Sequence, residues 1–319
     1  MSKVTVALLT YNRPKYLKKA IDAILAQSYR DFEFLICDNG SSEETQCIIK
    51  SYTDNRIVYI RKEVNDIEFY NTPFYVSKGE YLIITHDDDV LNYKFLEKEV
   101  EVLDKNDIIV AVGCNVSNID ENDVVLKEKT FDINEDLVYS KNMYLKYYLD
   151  SFHLPCPTVL MRKSFFLKNN LKFDFSAGPG ADTFLWYKVS EFPVKMCLLK
   201  EVLYNYRVHP QQDSSLNRFS FHDKLYKTLL EDMKSKTIYA QESEKIIMRF
   251  VYDNFSLLDD KLIDYHTYVA RLEKISLENS LKLKTLLKIK IYQKVPLLVK
   301  KILILKIFFL RRKPAYKLS

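Results

Sequence analysis

The chain has 319 residues, of which 47% are hydrophobic and 29% charged, and its formal net charge is +5. This length allows one large domain or two smaller ones, and the 13% aromatic share argues against disorder. With only five glycines and no GxGxxG or GxxxxGK(S/T) pattern, a glycine-rich phosphate loop is nearly excluded. Five scattered cysteines without a CxxC pair argue against disulfides or a zinc site and indicate a reducing compartment; Cys37 and Cys114 are expected in the core.

Short apolar runs alternate with helical spacing through the first hundred residues. Strands are predicted at 4–9, 32–37, 57–60 and 81–85, and helices from Pro14 and at 42–52, 70–77 and 94–104. This strand–helix order predicts an α/β fold with a mostly parallel sheet, right-handed crossovers and flanking helices. The ends of the second and fourth strands then bring Asp38 and Asp87 to the same edge of the sheet.

The later part of the chain has a less regular pattern. Strands are predicted at 108–114, 158–162 and 202–208, and the stretch 115–136 reads as polar and irregular. A helix is expected after Gly178-Pro179-Gly180, and 219–279 has helical spacing without Gly or Pro. The predicted organisation is a main domain at 1–215, a helical extension at 216–280 and a tail at 281–319.

The tail has its own charge character. It contains twelve Lys or Arg and no Asp or Glu, whereas the first 280 residues carry a net charge of −7. Its longest apolar piece, 297–310, is too short and too charged to span a bilayer. We expect a peripheral anchor on anionic lipid, because long lysine side chains can reach the headgroups. A helical dimer surface is an alternative, and the acidic body argues against a nucleic-acid tail.

Three consecutive carboxylates, Asp87, Asp88 and Asp89, directly follow the predicted strand 81–85. Such like charges repel one another unless a divalent cation lies between them, and hard oxygen ligands suit Mg²⁺ or Mn²⁺. The alternative is a solvated acidic turn that caps the helix starting near Lys94. This stretch alone supports both interpretations equally.

An ordered set of motifs resembles glycosyltransferase family 2, the inverting enzymes of GT-A fold. Residues 6–14 are similar to the family's first strand and nucleotide loop, and 27–41 to its "Q-S/T-Y-x-x-x-E" and "D-D/N-x-S" signatures. Residues 78–89 resemble its "GEY" and "DxD" stretch. Asp182 lies in a similar later motif, and 206–209 resemble a closing "YR-x-H". The likeness covers about residues 3–215.

The resemblance implies a nucleotide-sugar site. Tyr11 would stack on a pyrimidine, and Asp38 or Asn39 would bond to its ring edge. The other candidate nucleotide contacts are Thr10, Asn12, Arg13, Asn71, Asp87 near the ribose, and His209 near the diphosphate or metal.

The resemblance also implies a metal and a general base. Asp88 falls at the metal-binding position and Asp89 is a second candidate ligand, for Mn²⁺ or Mg²⁺; many members have Asp where this chain has His86. Asp182 is the candidate base, which would take the acceptor proton during inversion. A helix N-cap is the alternative for Asp182, and a structural histidine is the alternative for His209.

The resulting hypothesis is an inverting glycosyltransferase that uses a nucleotide-sugar, expected to be UDP-linked, and extends a lipid-linked cell-surface glycan. Capsule, exopolysaccharide or lipopolysaccharide synthesis is expected by analogy, at the cytoplasmic face of the membrane. A homodimer through the helical extension is a further expectation. The alternatives are transfer to a protein side chain and a catalytically silent nucleotide-sugar-binding subunit.

Overall fold

The computed structural model describes residues 2–210, 212, 218–233, 236, 243, 245–251, 254 and 265–278. The basic tail and much of the predicted helical extension lie outside the described residues. Within the described ranges, no helix combines the length and apolar composition that a bilayer crossing requires.

Ten strands of the described chain form one sheet in the order β3-β2-β1-β4-β9-β6-β10-β5, with β7 pairing with β6 and β8 with β10. Their bounds are β1 Val4–Thr10, β2 Phe32–Asn39, β3 Ile57–Lys62, β4 Tyr81–His86, β5 Val90–Leu91, β6 Ile109–Ile119, β7 Val125–Lys127, β8 Leu137–Tyr139, β9 Leu160–Arg162 and β10 Lys195–Arg207. The first four strands are mutually parallel, as are β6 and β10, while β9 runs antiparallel between β4 and β6.

Helices connect the strands, and short 3₁₀ turns lie at Ile67–Asn71, Cys156–Thr158 and Phe175–Gly180. The helices are α1 Pro14–Leu25, α2 Glu43–Lys50, α3 Thr72–Val76, α4 Phe95–Lys105, α5 Tyr144–Leu149, α6 Lys163–Lys168, α7 Ala181–Val189, α8 Arg218–Met233 and α9 Tyr265–Glu278. Helix α1 shows why these segments are helical. Pro14 fits the first turn, where its missing N–H costs nothing, and the apolar side chains share one buried face.

The central strands are buried because they carry apolar side chains on both faces of the sheet. All seven residues of β1 are buried, which only a strand covered on both sides of the sheet can sustain. Its register sets Thr10 opposite Asp38 of β2 and Leu9 opposite His86 of β4. Three strand ends therefore meet at one edge, as predicted for Asp38 and Asp87.

Several sequence predictions were wrong in extent. The predicted strand 158–162 is limited to Leu160–Arg162, and the stretch 115–136, predicted as irregular, also contains β7. The stretch 115–119 is part of β6, because its polar side chains are satisfied: the Asn115 amide donates to the Phe131 carbonyl oxygen at 2.7 Å, and Ser117 Oγ donates to Asn205 Oδ1 at 2.6 Å. Strand β10 begins at Lys195, seven residues before the predicted start, because it pairs with β6 along most of that strand's length.

The core predictions for Cys37 and Cys114 are confirmed, since both thiols are buried and unpaired. The chain divides into two compact units. The first comprises Met1–Tyr144, His153–Phe175 and Ala181–Leu216 and holds the whole sheet; the second comprises Leu145–Phe152, Ser176–Gly180 and Asn217–Ser319 and includes α8 and α9. The predicted domain boundaries remain a prediction.

Candidate active site

The three aspartates after β4 form a buried turn, here called the acidic turn (Asp87–Asp89). Their relative exposures are 0%, 6% and 1% in chain order. The alternative of a solvated acidic turn is therefore wrong. Burying three adjacent carboxylates is costly unless protons, cations or strong hydrogen bonds compensate, so their partners define what the turn can do.

Asp87 is tied to the loop after β1. Its carboxylate accepts hydrogen bonds from Thr10 Oγ1 at 2.6 Å, from the Tyr11 backbone N–H at 3.3 Å, and from Arg13 Nη1 at 3.1 Å. Burial and the neighbouring Asp88 charge raise the pKa of Asp87 to about 7, although Arg13 and Thr10 oppose the shift. Asp87 thus holds the predicted nucleotide loop in place through three hydrogen bonds.

Asp88 faces the cationic side of the site. Its Oδ2 lies 3.1 Å from Arg13 Nη1 and 3.0 Å from His209 Nε2. Burial acts to raise the pKa of Asp88, but His86, Arg13 and His209 outweigh it and lower the pKa below its ordinary value. Asp88 is therefore the ionised member of the turn.

Asp89 is held by the end of β10. The Arg207 backbone N–H donates to its Oδ1 at 2.8 Å, and the Tyr204 hydroxyl donates to its Oδ2 at 3.0 Å. Burial and the Asp88 charge raise the pKa of Asp89 well above its ordinary value. Nδ1 of His86 lies 3.9 Å from Asp89 Oδ2, so the acidic turn has a second histidine beside it in addition to His209.

This cluster has the donors that a divalent cation needs. One potential ligand atom each from His86, Asp88 and Asp89 lies within 4.8 Å of the others. A cation would also offset the repulsion that raises the pKa values of Asp87 and Asp89. The residues therefore fit a bound Mg²⁺ or Mn²⁺.

Asp38 and Asn39 lie at the end of the neighbouring strand β2. Asp38 is fully buried, accepts from the Ser41 N–H at 2.8 Å and from the Tyr59 hydroxyl at 2.6 Å, and lies 3.5 Å from Arg61 Nε. The Asn39 amide donates to Asn65 Oδ1 at 2.8 Å. Both side chains are thus held in place by hydrogen bonds at this edge of the sheet.

The loop itself connects the two strand ends. Asn12 has a left-handed backbone (φ 52°), its N–H donates to Ser41 Oγ at 3.1 Å, and its side-chain oxygen accepts from the Ser42 N–H at 2.7 Å. Tyr11 is 44% exposed, so much of its ring surface is open to a ligand. The structure therefore brings Thr10 to Arg13, Asp38, Asp87 to Asp89 and His209 into one connected network.

Asn71 and Asp182 have their described contacts elsewhere. The side-chain N–H of Asn71 donates to the Phe173 carbonyl oxygen, and its side-chain oxygen accepts from the Phe173 N–H, both at 3.0 Å. Asp182 lies in the first turn of α7, where its Oδ1 accepts from the Thr183 N–H at 2.7 Å. Burial raises the pKa of Asp182 to about 6. The binding role of Asn71 and the base role of Asp182 remain predictions.

Sequence reasoning missed several supporting residues. These include Tyr59 and Arg61, which contact Asp38, and Tyr204, which contacts Asp89. They belong to strands whose sequence pattern predicts burial and nothing about a site. Arg207 stands in the quoted "YR-x-H" motif, which is the one signal that could have singled it out. Its side chain is 1% exposed and its Nε donates to the Asp88 carbonyl oxygen at 2.7 Å.

Comparison with known proteins identifies the class. The model of "Glycosyl transferase family 2" matches residues 5–168. An uncharacterized glycosyltransferase of Methanocaldococcus jannaschii is 33% identical over 244 residues, covering 73% of this chain and 80% of that protein. The chain belongs to glycosyltransferase family 2.

Two further relatives come from Escherichia coli. The O-antigen biosynthesis glycosyltransferase WbnJ is 28% identical over 250 residues, covering 75% of this chain and 92% of that protein. WfgD, a UDP-Glc:alpha-D-GlcNAc-diphosphoundecaprenol beta-1,3-glucosyltransferase, is 26% identical over 188 residues, covering 58% and 69%. The family's members similar to this chain thus include enzymes of glycan biosynthesis.

Solved structures share the fold. Staphylococcus aureus TarS in complex with UDP-GlcNAc has a TM-score of 0.62 at 16% identity, covering 80% of this chain and 73% of that chain. A mannosyltransferase from Pyrobaculum calidifontis in complex with GDP-Man and Mn²⁺ has a TM-score of 0.54 at 14% identity, covering 92% and 87%. The predicted GT-A fold is confirmed.

Proposed function

We propose that the chain is an inverting glycosyltransferase that moves a sugar from a UDP-sugar to a hydroxyl of a growing, lipid-linked cell-surface glycan. The observation that carries the proposal is the buried acidic turn, which is bonded on one side to the loop Thr10–Arg13 and on the other to His209. A nucleotide lying on the loop places its diphosphate beside the cation-binding donors.

The donor is held by the edge formed by β1 and β2. The exposed ring of Tyr11 stacks on the base. Asp38 or Asn39 bonds to the base edge through the second lone pair of an oxygen that already accepts from a backbone N–H, Asp38 Oδ1 from Ser41 and Asn39 Oδ1 from Asp66. Two observations favour uridine: the structural neighbour TarS holds UDP-GlcNAc, and the relative WfgD uses UDP-Glc.

A divalent cation belongs to the active enzyme. Asp88 holds it, with Asp89, His86 and His209 as the further candidate ligands. When bound, the cation neutralises the charge that develops on the departing diphosphate. A mannosyltransferase of the same fold carries Mn²⁺ with its nucleotide-sugar, which supports this assignment.

Asp182 acts as the general base. It takes the proton of the acceptor hydroxyl while that oxygen bonds to the anomeric carbon, on the face opposite the breaking bond to the diphosphate oxygen, so the configuration inverts. A pKa of about 6 suits the role, because the carboxylate is ionised at neutral pH yet basic enough to accept a proton.

The acceptor is a glycan on a lipid carrier, and the enzyme works at the cytoplasmic membrane face. WfgD acts on a diphosphoundecaprenol-linked sugar, and the twelve cations of 281–319 favour anionic lipid. We expect the full chain to sediment with phosphatidylglycerol vesicles and a chain ending near residue 280 to stay in the supernatant. A full chain that stays in the supernatant with the vesicles present would refute the membrane part of the proposal.

The experiment that tests the donor and metal is a thermal-shift panel of nucleotide-sugars with Mn²⁺ or with EDTA. One UDP-sugar should stabilise the protein only with Mn²⁺, by about 3 kcal/mol at a concentration 100-fold above Kd. Asp88→Asn should lose this response. Asp132→Asn, which alters an exposed ion pair with Lys129, should keep it. Stabilisation that is equal in EDTA would refute the metal assignment.

A further inference from the structure

Arg207 stands at the end of β10, behind the acidic turn. Three of its side-chain N–H groups are used by protein oxygens: Nε by the Asp88 carbonyl at 2.7 Å, Nη1 by the Asp120 carbonyl at 2.6 Å and Nη2 by Asp123 Oδ1 at 2.6 Å. The guanidinium also lies 4.8 Å from the centre of the Tyr16 ring. The arginine is thus enclosed by protein groups.

Two of those partners belong to the turn between β6 and β7, here called the hairpin turn (Asp120–Val124). The turn is closed by its own bonds, since the Asp120 N–H donates to the Val124 carbonyl at 2.9 Å and the Val124 N–H to Asp120 Oδ1 at 2.9 Å. It therefore offers Arg207 a preformed carbonyl and carboxylate.

Helix α1 holds the same hairpin turn from the other side. Lys15 Nζ lies 2.7 Å from Glu121 Oε2, and Lys19 pairs with Asp123. These lysines are half-exposed, so each pair adds little to stability. The buried Arg207 contacts are different: removing one partner leaves a buried charge without compensation, which is expensive. Asp123 is the point at which the α1 and β10 contacts meet.

We propose that Arg207 is a positioning residue that couples the hairpin turn to the acidic turn and so aims Asp88 at the cation. Its Nε bond fixes the Asp88 main chain, its own N–H fixes Asp89, and the hairpin turn fixes its guanidinium. The metal part of this inference rests on the proposed function. The coupling between the two turns does not.

The test compares Asp123→Asn, Arg207→Lys and the double variant of the full chain. Asp123 has a left-handed backbone (φ 67°), which Asn also adopts readily, so the substitution removes the charge and keeps the turn. Lys cannot reproduce the three-way contact of the guanidinium. Asp132→Asn is the matched control, because Asp132 is 90% exposed and its ion pair in the described part of the chain is with Lys129, which is half-exposed.

Hydrogen–deuterium exchange without metal gives the first readout. Asp123→Asn and Arg207→Lys should both speed exchange in the hairpin turn and in the peptide covering the acidic turn, and the double variant should add little to Arg207→Lys. Faster exchange confined to the hairpin turn, or equal to the Asp132→Asn control, would overturn the proposal. If Arg207→Lys fails to fold, Asp123→Asn decides alone.

Mn²⁺ titration in the presence of UDP, followed by electron paramagnetic resonance, gives the second readout. Arg207→Lys should weaken Mn²⁺ binding by about tenfold or more, the usual effect of losing a group that orients a metal ligand. If UDP binds more weakly in the absence of metal to Arg207→Lys, and to no other variant, Arg207 contacts the donor itself and the proposal is overturned. A wild-type chain that binds no Mn²⁺ refutes the metal in the proposed function, while the exchange experiment still decides the coupling.

Discussion

Replacing Asp182 with Asn should make the protein more stable and nearly inactive. The folded carboxyl has a pKa of about 6 against an ordinary value of 3.8. Ionising it at neutral pH therefore costs up to about 3 kcal/mol, at about 1.4 kcal/mol per pH unit between the two pKa values. Partial exposure of the residue and loss of a favourable charge at the α7 N-terminus reduce the expected net gain of Asp182→Asn to about 1 kcal/mol.

The pH dependence has a definite sign. Between pH 3.8 and about 6 the unfolded chain loses this proton first, so wild-type stability falls as the pH rises through that window. Asn carries no proton, so the stability advantage of the variant should be absent near pH 3.5 and complete above pH 6. Wild-type kcat/KM should fall about tenfold per pH unit below pH 6, because only the carboxylate accepts the acceptor proton.

The assay pairs thermal unfolding at pH 4 and 7.5 with release of UDP from the donor found in the thermal-shift panel. Asp182→Asn should lower kcat by about 10²–10⁴-fold. Glu191→Gln is the matched control, since Glu191 lies just beyond the other end of α7, where it forms a partly exposed ion pair with Lys188; it should keep its turnover. A variant that is less stable at pH 7.5 and still turns over would refute both the base role and the energetic argument.

Three other substitutions test the core and the surroundings of the site. Glu99→Gln should raise the melting temperature at pH 8 and leave it unchanged near pH 4, because burial raises the pKa of this core carboxyl well above its ordinary value and its ionisation opposes folding. Tyr59→Phe should weaken UDP binding by about 5–10-fold in calorimetry, because it removes the 2.6 Å bond that orients Asp38; unaltered affinity would exclude Asp38 from the base pocket. Arg13→Gln should cost about 3 kcal/mol in metal-free unfolding, because it strips a cation from buried Asp87 and Asp88, and Mn²⁺ should recover part of the loss; no recovery would argue against a cation at this turn.

Local pattern was sufficient to predict the first half of the fold. Runs such as 4–9 and 81–85 are apolar on both faces, and such runs between helices allow little other than parallel strands meeting at one edge. That rule places Asp38 near Asp87 from the sequence alone. It failed at 115–119, where Asn115 satisfies its polar groups through Phe131, a partner that no local window contains.

The site was predictable to the extent that its residues follow strand ends. The acidic turn is predicted in this way, whereas the loop after β1 and His209 are assigned by the family resemblance, and the contacts in the structure join all three. What the sequence did not reveal is how each carboxylate is used. Asp87 and Asp89 differ because one meets Thr10 and Arg13 while the other meets Tyr204 and Arg207, more than 100 residues away along the chain.

The most direct test of the account is electron–nuclear double resonance on Mn²⁺ added to the protein with UDP. If the acidic turn and the loop after β1 form one nucleotide–metal site, the wild-type spectrum should show ³¹P coupling from the diphosphate, and Asp88→Asn should abolish it. A bound Mn²⁺ without ³¹P coupling, or a coupling that survives Asp88→Asn, would contradict the account.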